Sequence, residues 1–162
     1  MREELLQKGA LARDAAFKLA CIDTELKNRA LSAIADALSA HSDEIIEENK
    51  KDIAAAEEKG TRKAMIDRLT LTPERIAGIA DGVRKVIELP DPIGETVKEW
   101  TRPNGLLISE KRVPMGVIAI IYEARPNVTV DAAALCLKSS NAVMLRGGSE
   151  AIHSNIKLMR IM

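Results

Sequence analysis

Aromatic residues are nearly absent from this chain of 162 residues, which contains only Phe17, Trp100 and Tyr122. Proteins that bind single-stranded nucleic acid stack the bases on aromatic side chains, so this composition argues against such a platform. An excess of either charge is also absent, because 24 basic and 24 acidic side chains give a formal net charge of zero. We therefore expect neither nucleic acid nor a membrane surface as a partner.

Long apolar runs and cysteines are scarce as well. No run approaches the roughly 20 apolar residues of a membrane-spanning helix, and the charged amino terminus does not resemble a signal peptide. The only cysteines, Cys21 and Cys136, each lie within an apolar helical pattern. This pattern predicts reduced core residues of a cytoplasmic protein rather than a disulfide. The cysteines and the two histidines, His41 and His153, show no ligand spacing, so we expect no zinc site.

The amino-terminal part of the chain is predicted to be helical. Residues 1 to about 60 carry apolar positions at helical spacing, with one interruption near Thr24, which we expect to N-cap the second helix. Gly60 ends this pattern. A further helix starts at Thr72, where an N-cap hydroxyl is followed by a proline in the first turn and an early acid. Pro90 and Pro92 end that helix.

Two strands joined by a tight turn are predicted next. They run from Thr96 to Thr101 and from Leu106 to Val113, and the residues between them place proline and glycine where a turn requires them. An isolated hairpin is only marginally stable in water. Because Trp100 adds apolar surface to this hairpin, we expect it to pair with something else, such as another subunit.

The stretch from Lys111 to Glu150 predicts a βαβ unit. Two short apolar runs without polar alternation, Val117 to Tyr122 and Ala142 to Leu145, are typical of strands buried on both faces. Val128 to Ser139 is rich in alanine and leucine and long enough for a crossover helix, which makes the strands parallel. Ser149 is then expected to N-cap a helix that ends at Met162. The predicted fold class is therefore α/β.

Each predicted strand is followed by a loop that contains an arginine. The first loop is Glu123-Ala124-Arg125-Pro126-Asn127 and the second is Arg146-Gly147-Gly148-Ser149-Glu150. Ligands of open α/β sheets bind outside the carboxyl ends of the strands, beside helix N-termini. Guanidinium groups match phosphate oxygens, and the two glycines let a phosphate or a ribose approach the backbone and the amides that open the next helix.

Two alternatives remain open from the residues alone. Arg125 and Arg146 either bind phosphate or form ion pairs with the glutamates of their own loops. Asn127 either caps the following helix or donates a hydrogen bond to an oxyanion. Neither a Walker A loop nor a GxGxxG fingerprint is present.

The stretch KRVPMGVIAIIYEARPNVTVDAAALCLKSSNAVMLRGGSEAIHSN resembles the gamma-glutamyl phosphate reductase family. This family, also called glutamate-5-semialdehyde dehydrogenase, is the proline-biosynthesis branch of the aldehyde dehydrogenase superfamily, and its most specific motifs here are YEARPNVTVDAAAL and LRGGSEA. The resemblance runs from the first helix to Met162 and covers the amino-terminal part of the family's length. It implies a partial dinucleotide-binding domain: helices over residues 1–92, an oligomerisation hairpin over residues 93–113, and the first βαβα of the sheet over residues 114–162.

The resemblance also implies an activity, namely the NADPH-dependent reduction of L-glutamate 5-phosphate to the semialdehyde by a cytoplasmic homo-oligomer. Asn127 corresponds to the asparagine that donates to the oxyanion. Arg146 takes the place of a lysine beside the adenine ribose, and Ser149 replaces a glutamate that holds the ribose hydroxyls, which leaves room for a 2′-phosphate. The implied cofactor-binding residues are Glu123, Ala124, Arg125, Arg146, Gly147, Gly148, Ser149 and Glu150.

One departure from the family limits these expectations. The catalytic cysteine of the family lies beyond the matched region, and neither Cys21 nor Cys136 has a sequence context that would activate a thiol. We therefore expect this chain by itself to be inactive. The open alternatives are another aldehyde or acyl-phosphate dehydrogenase of the superfamily and a non-catalytic assembly module. We also expect a sheet of two parallel strands to leave edges that promote self-association.

Overall fold

Five helices precede the first strand in the computed structural model, which describes residues 2–162. They are α1 (Arg2–Leu19), α2 (Thr24–Ala40), α3 (Ser42–Glu58), α4 (Lys63–Leu69) and α5 (Pro73–Glu88). The antiparallel strands β1 (Thr96–Thr101) and β2 (Leu107–Lys111) follow. The rest comprises β3 (Val117–Ile121), α6 (Pro126–Lys138), β4 (Ala142–Arg146), a 3₁₀ turn (Ser149–Ala151) and α7 (Ile152–Ile161). The predicted α/β class is confirmed.

Helix starts were predictable only where the local signal was strong. Thr72 caps α5 as predicted, and its hydroxyl oxygen accepts a hydrogen bond from the amide of Arg75 at 3.2 Å. The prediction for Thr24 is wrong, because Asp23 caps α2 through a 2.7 Å hydrogen bond from the amide of Leu26. A carboxylate one residue earlier takes the cap, and the hydroxyl of Thr24 donates to Asp91 instead.

Two further differences concern the continuous helical pattern. A break at His41 separates α2 from α3, and the short helix α4 was not predicted. Helix α4 has seven residues and no side-chain N-cap, so it has little local signature. The core lies mainly between α2, α3, α5, α6 and α7, which bury Leu31, Ala35, Leu38, Ile45, Leu71, Ile76, Ile79, Ala80, Val83, Val130, Ala134 and Leu158.

The hairpin forms as predicted but stands on the surface. Trp100 pairs with Ile108 across the two strands, and Gly105 adopts a positive φ of 85° in the turn, which favours glycine. β1 is exposed along its whole length, and only Ile108 of β2 is even partly buried. The ammonium of Lys98 lies 5.2 Å from the centre of the Trp100 ring, which covers part of that ring.

The βαβ unit is also confirmed, with changed bounds. β3 and β4 pair in parallel from Val117–Ala142 to Ile121–Arg146, and α6 begins at Pro126, two residues earlier than predicted. The expectation that both faces are buried is wrong for β3, whose residues alternate between exposed and half-buried, with Ile121 81% exposed. Helix α1 packs against this two-stranded sheet.

Helix α1 is the other element with much exposed apolar surface. Leu5, Leu6, Leu11 and Phe17 are between 61% and 70% exposed. Cys21 follows this helix and is exposed, so its predicted place in the core is wrong, whereas Cys136 is buried as predicted and both thiols are free. None of the described helices is both long and apolar enough to cross a membrane.

Candidate functional site

The loops after β3 and β4 meet at one edge of the sheet, as expected for parallel neighbours. The amide of Tyr122 donates to the carbonyl of Arg146 at 3.1 Å, which continues the pairing beyond the strands. A Cβ placed on Gly148 would lie 3.4 Å from the backbone nitrogen of Ala124 in the facing loop. The fold therefore brings the two predicted site segments into contact.

The arginines of both loops are free of ion pairs within residues 2–162. Arg125 and Arg146 are exposed, and no carboxylate in the described part of the chain lies within salt-bridge distance of either. The alternative in which they pair with Glu123 and Glu150 is therefore wrong, although both glutamates are themselves exposed. Two guanidinium groups remain available for anions at this edge.

Asn127 lies in the first turn of α6 and does not cap it. The helix begins at Pro126, with Arg125 in the extended N-cap conformation, so the capping alternative for Asn127 is wrong. The amide nitrogen of Asn127 donates to Asp131 Oδ2 at 3.2 Å. Because a side-chain amide has two N–H groups, one donor is left for another acceptor.

Asp131 is the second polar residue on this face of α6. Burial raises the pKa of its carboxyl, and the hydrogen bond from Asn127 opposes that rise. No described cation lies within salt-bridge distance of Asp131 in residues 2–162. Its carboxylate is thus half-buried and held by one amide.

The turn after β4 is shaped by a buried polar relay that sequence reasoning missed. The hydroxyl of Thr129 donates to Asn155 Oδ1 at 2.8 Å, so that of Tyr122 must donate to Thr129, at 2.6 Å. This fixes the amide of Asn155, whose nitrogen would lie 2.5 Å from a Cβ on Gly147. Gly147 is therefore required by close packing. The sequence did contain a signal for this relay, because Thr129 and Asn155 are polar residues on otherwise apolar helix faces.

The amino terminus of α7 is already occupied. Asp52 of α3 is buried and accepts hydrogen bonds from the amides of His153 and Ser154, at 3.1 and 2.8 Å. The amides of His153 and Ser154 are therefore not free for a phosphate, whereas the use of the earlier amides, at the 3₁₀ turn, stays a prediction. Ser149 is not its N-cap either, because it begins the 3₁₀ turn. An anion at this edge can still contact Arg125, Arg146 and the backbone of the glycine turn.

A groove of about 440 Å³ extends from the first loop between α6 and the α4–α5 segment. Its α6 wall includes Arg125, Asn127 and Asp131, and its other wall includes Arg68 and Arg75. The guanidinium of Arg75 is committed, since it donates to Thr70 O at 2.8 Å and pairs with Asp67 Oδ1 at 2.9 Å. This second wall was missed because α4 was not predicted. We call this cavity the α5–α6 groove.

The cysteines stand apart from these groups. Cys136 is buried within α6, and this burial raises the pKa of its thiol. Cys21 is exposed beyond the end of α1, where its thiol contacts the carbonyl of Phe17 at 3.5 Å. Neither cysteine lines the α5–α6 groove. The described residues thus supply anion-binding and hydrogen-bonding groups at this site, but no activated thiol.

Similar curated proteins and solved structures point to the same family. The gamma-glutamyl phosphate reductase of Anoxybacillus flavithermus is 56% identical over 159 residues, which cover 98% of this chain and 38% of the relative. The crystal structure of the Thermotoga maritima gamma-glutamyl phosphate reductase is 43% identical with a TM-score of 0.96, and the match covers 98% of this chain and 38% of that one. A Listeria monocytogenes structure assigned to the aldehyde dehydrogenases, 17% identical with a TM-score of 0.62 over 93% of this chain and 30% of that one, shares the fold alone. No protein-family model matches the chain.

Proposed function

The chain belongs to the gamma-glutamyl phosphate reductase family and spans 38% of the length of these relatives. From this premise we propose that it is the amino-terminal part of a cytoplasmic enzyme of proline biosynthesis. The reaction is the NADPH-dependent reduction of L-glutamate 5-phosphate to L-glutamate 5-semialdehyde. The observation that supports it most is the presence of two exposed guanidinium groups, Arg125 and Arg146, at adjoining strand ends, neither of which forms an ion pair within residues 2–162. Substrate and cofactor both carry phosphate, which guanidinium groups bind bidentately.

The turn after β4 fits the ribose phosphate of NADPH, the group that would supply the hydride. Arg146 pairs with the 2′-phosphate, and Gly147 and Gly148 leave the backbone accessible. The carboxylate of Glu150 lies 2.5 Å from where a Cβ on Gly148 would be, so the bound phosphate displaces this flexible side chain. Glu123, Ala124 and Ser149 complete the proposed cofactor surface, and Arg125 binds phosphate oxygens at its rim.

Asn127 stabilises the charge that develops on the acyl oxygen. Asn127 lines the α5–α6 groove, and its contact with Asp131 holds the amide in place and leaves one N–H available. A preorganised donor of this kind contributes about 2.7–4 kcal/mol to transition-state stabilisation. The nucleophile that forms the thioester comes from outside these 162 residues, because Cys136 is buried and Cys21 lies away from the groove. We therefore propose that the chain alone does not reduce glutamyl phosphate.

Cofactor binding to the complete enzyme that contains this chain tests the proposal. Arg146→Ala should weaken NADPH binding by about 10- to 100-fold, the equivalent of removing one charge-assisted hydrogen bond, and leave NADH binding nearly unchanged. Arg160→Ala is the matched control, because Arg160 is exposed on α7 and outside the glycine turn. Equal losses for both cofactors would refute a role in binding the 2′-phosphate.

A second assay separates this function from another dehydrogenase of the superfamily. The complete enzyme should reduce glutamyl phosphate in the presence of NADPH and show little activity with simple aldehydes and NADP⁺. The reverse preference would assign the chain to a different branch. The 162-residue chain is assayed for NADPH oxidation beside its Cys21→Ser, Cys136→Ser double variant. Activity that is present in the chain and lost in the double variant would refute the proposal that the nucleophile lies outside these residues.

The surface hairpin favours an additional assembly role. β1 and β2 expose Val97, Trp100 and Leu107 by 39–57%, and an isolated hairpin of this kind gains stability by pairing. We propose that residues 93–113 join subunits of a homo-oligomer, between helices over residues 1–92 and the first βαβα unit over residues 114–162. Trp100→Lys should lower the molar mass of the complete enzyme in light scattering. An unchanged mass would contradict the assignment.

A further inference from the structure

Asp131 is a half-buried carboxylate for which residues 2–162 provide no cation. Its only described hydrogen bond comes from Asn127, to Oδ2, which leaves Oδ1 open. Removing a carboxylate from water is unfavourable unless a charge or several donors compensate it, and burial does raise the pKa of Asp131. A perturbed carboxyl group that lines a cavity is a candidate for ligand contact.

The facing helix leaves space beside this carboxylate. Gly78 and Gly82 lie one turn apart on α5, although glycine weakens a helix interior. A Cβ on Gly78 would meet nothing within 4 Å, and one on Gly82 would lie 3.9 Å from Asp131 Oδ1. These two positions of α5 therefore place no side chain against Oδ1.

The other wall of the groove adds a free positive charge. Arg68 is exposed in the last turn of α4 and has no ion pair with any described carboxylate of residues 2–162. Arg75, beside it, is tied to Asp67 and Thr70. The α5–α6 groove thus offers one open carboxylate, that of Asp131, and two open guanidinium groups, of which Arg125 is assigned above to phosphate and Arg68 is left for a second anionic group. The Asp131 carboxylate and the Arg68 guanidinium complement the head group of an amino acid, in which one carbon carries an ammonium and a carboxylate.

We propose, resting on the proposed function, that the α5–α6 groove binds the amino-acid end of the substrate. Asp131 Oδ1 accepts hydrogen bonds from the α-ammonium group, and Arg68 donates to the α-carboxylate. Two methylenes separate this end of a glutamyl group from its acyl carbon. Asn127 lies one helical turn from Asp131, at a 3.2 Å contact, and so faces the acyl end. Asp131 and Arg68 then select an amino acid over a simple aldehyde or acid.

Three small ligands separate the two contacts by calorimetry on the complete enzyme. L-Glutamate has both groups, glutarate lacks the ammonium, and 4-aminobutyrate lacks the α-carboxylate. Asp131→Asn should weaken L-glutamate and 4-aminobutyrate by about 10- to 100-fold and leave glutarate unchanged or tighter. Arg68→Gln should weaken L-glutamate and glutarate by a similar factor and spare 4-aminobutyrate. Asp81→Asn, which changes an exposed carboxylate of α5 that pairs with Arg84, should alter none of the three.

The expected result is a crossed pattern, in which each variant weakens a different pair of ligands. This pattern also separates the inference from the proposed function. If NADPH-dependent turnover with glutamyl phosphate is present but the crossed pattern is missing, the head-group assignment is wrong and the reaction stands. If the pattern is present without that turnover, the groove binds an amino acid for a different reaction. Equal weakening of all three ligands by both variants, with an unchanged melting temperature, would also overturn the assignment.

Discussion

The two ends of helix α6 handle their charges in opposite ways. At its amino end, Arg125 has no ion-pair partner among residues 2–162, and Asp131, in the second turn, is held by a single amide. At its carboxyl end, Lys138 is buried and donates to Asn28 Oδ1 at 2.7 Å and to Ile87 O at 2.9 Å. Burial lowers the pKa of Lys138, and these two acceptors limit the cost of keeping it charged.

The carboxyl end of α6 adjoins a second buried cation. Lys27 of α2 forms an ion pair with Asp91 and donates to Ser140 Oγ at 3.0 Å. Asp91 also accepts hydrogen bonds from Thr24 and from the amide of Ile93, at 2.6 and 3.0 Å. We call Lys27, Asp91 and Lys138 the lysine cluster.

Hydrogen-bonded charges at one end and open charges at the other indicate different roles. Buried charges that are hydrogen-bonded hold elements in register, so the lysine cluster joins α2, α5 and α6. Open charges in a groove cost stability and are retained where a ligand completes them. We therefore expect changes in the lysine cluster to affect folding and changes at the amino end to affect chemistry.

The largest effect should come from Lys27→Met. It leaves the Asp91 side chain, which is 11% exposed, without its ion-pair partner, and breaking such a pair costs about 3–5 kcal/mol. Denaturant unfolding should show this loss in the free energy of unfolding. The double variant Lys27→Met, Asp91→Leu should recover part of it, because no charge is then left unpaired. A single-variant loss below about 1 kcal/mol would mean that water reaches Asp91 freely.

Asn127→Ala should have the next largest effect, and on turnover rather than folding. Losing one oxyanion donor lowers kcat by roughly 10²-fold or more in the complete enzyme. The free energy of unfolding should change by less than about 1 kcal/mol, since the substitution removes a single described hydrogen bond, the one to Asp131.

Asn28→Ala is the counterpart at the other end of α6. It removes an acceptor of Lys138 and should reduce stability by about 1–3 kcal/mol with normal turnover. If Asn127→Ala lowered the melting temperature and left kcat unchanged, the proposed division between the two ends would be wrong.

The sequence predicted the parts of this arrangement that depend on neighbours along the chain. Thr72 and Pro73 mark the start of α5 locally, and two short apolar runs around an alanine-rich segment predict the βαβ unit. That topology places the loops that carry Arg125 and Arg146 at one edge of the sheet. These inferences need only periodicity, caps and the rule for parallel strands.

Contacts between distant segments were not predictable in the same way. Asp52 caps a helix about 100 residues later, and its sequence neighbours look like an exposed charged face. Lys27 was one more charge on a helix until the fold buried it against Asp91. The α5–α6 groove depends on α4, which is too short to show a period.

Gly147→Ala should have a smaller effect that links the two loops. The added Cβ would lie 2.5 Å from the amide nitrogen of Asn155 and 3.0 Å from the Tyr122 ring, so the buried relay must shift. Overpacking of this kind costs about 1–3 kcal/mol in the free energy of unfolding. Gly148→Ala is the control, since the nearest atom to its Cβ belongs to the flexible Glu150 side chain. Equal costs at both positions would contradict a rigid relay beside Gly147.

The smallest effect concerns the pH dependence of stability. Asp91, near the carboxyl end of α6, and Asp131, nearer its amino end, should change the free energy of unfolding in opposite directions as the pH rises. Burial by itself raises the pKa of Asp91, but hydrogen bonds from Lys27, Thr24 and the amide of Ile93 outweigh it and hold the pKa below the ordinary 3.8. The unfolded chain then binds more protons, so the stability from Asp91 is present above pH 3.8 and is lost as the pH falls through the lower, folded-state pKa. For Asp131 burial leaves the pKa above 3.8, so its folded form binds more protons, and stability decreases as the pH rises through that window.

Unfolding midpoints measured from about pH 2 to 6 should show this opposition. Asp91→Asn should make the loss of stability below pH 3.8 less steep. The variant also lowers stability by an amount that does not depend on pH, because Lys27 loses its ion-pair partner. Asp131→Asn should instead remove a decrease above pH 3.8, so that the variant gains on the parent as the pH rises toward 6. A saturating zwitterionic ligand in the α5–α6 groove should reverse the second trend, since it stabilises the charged form of Asp131. If the two variants changed the slope with the same sign, the two carboxyl groups would share one environment and the contrast between the ends of α6 would fail.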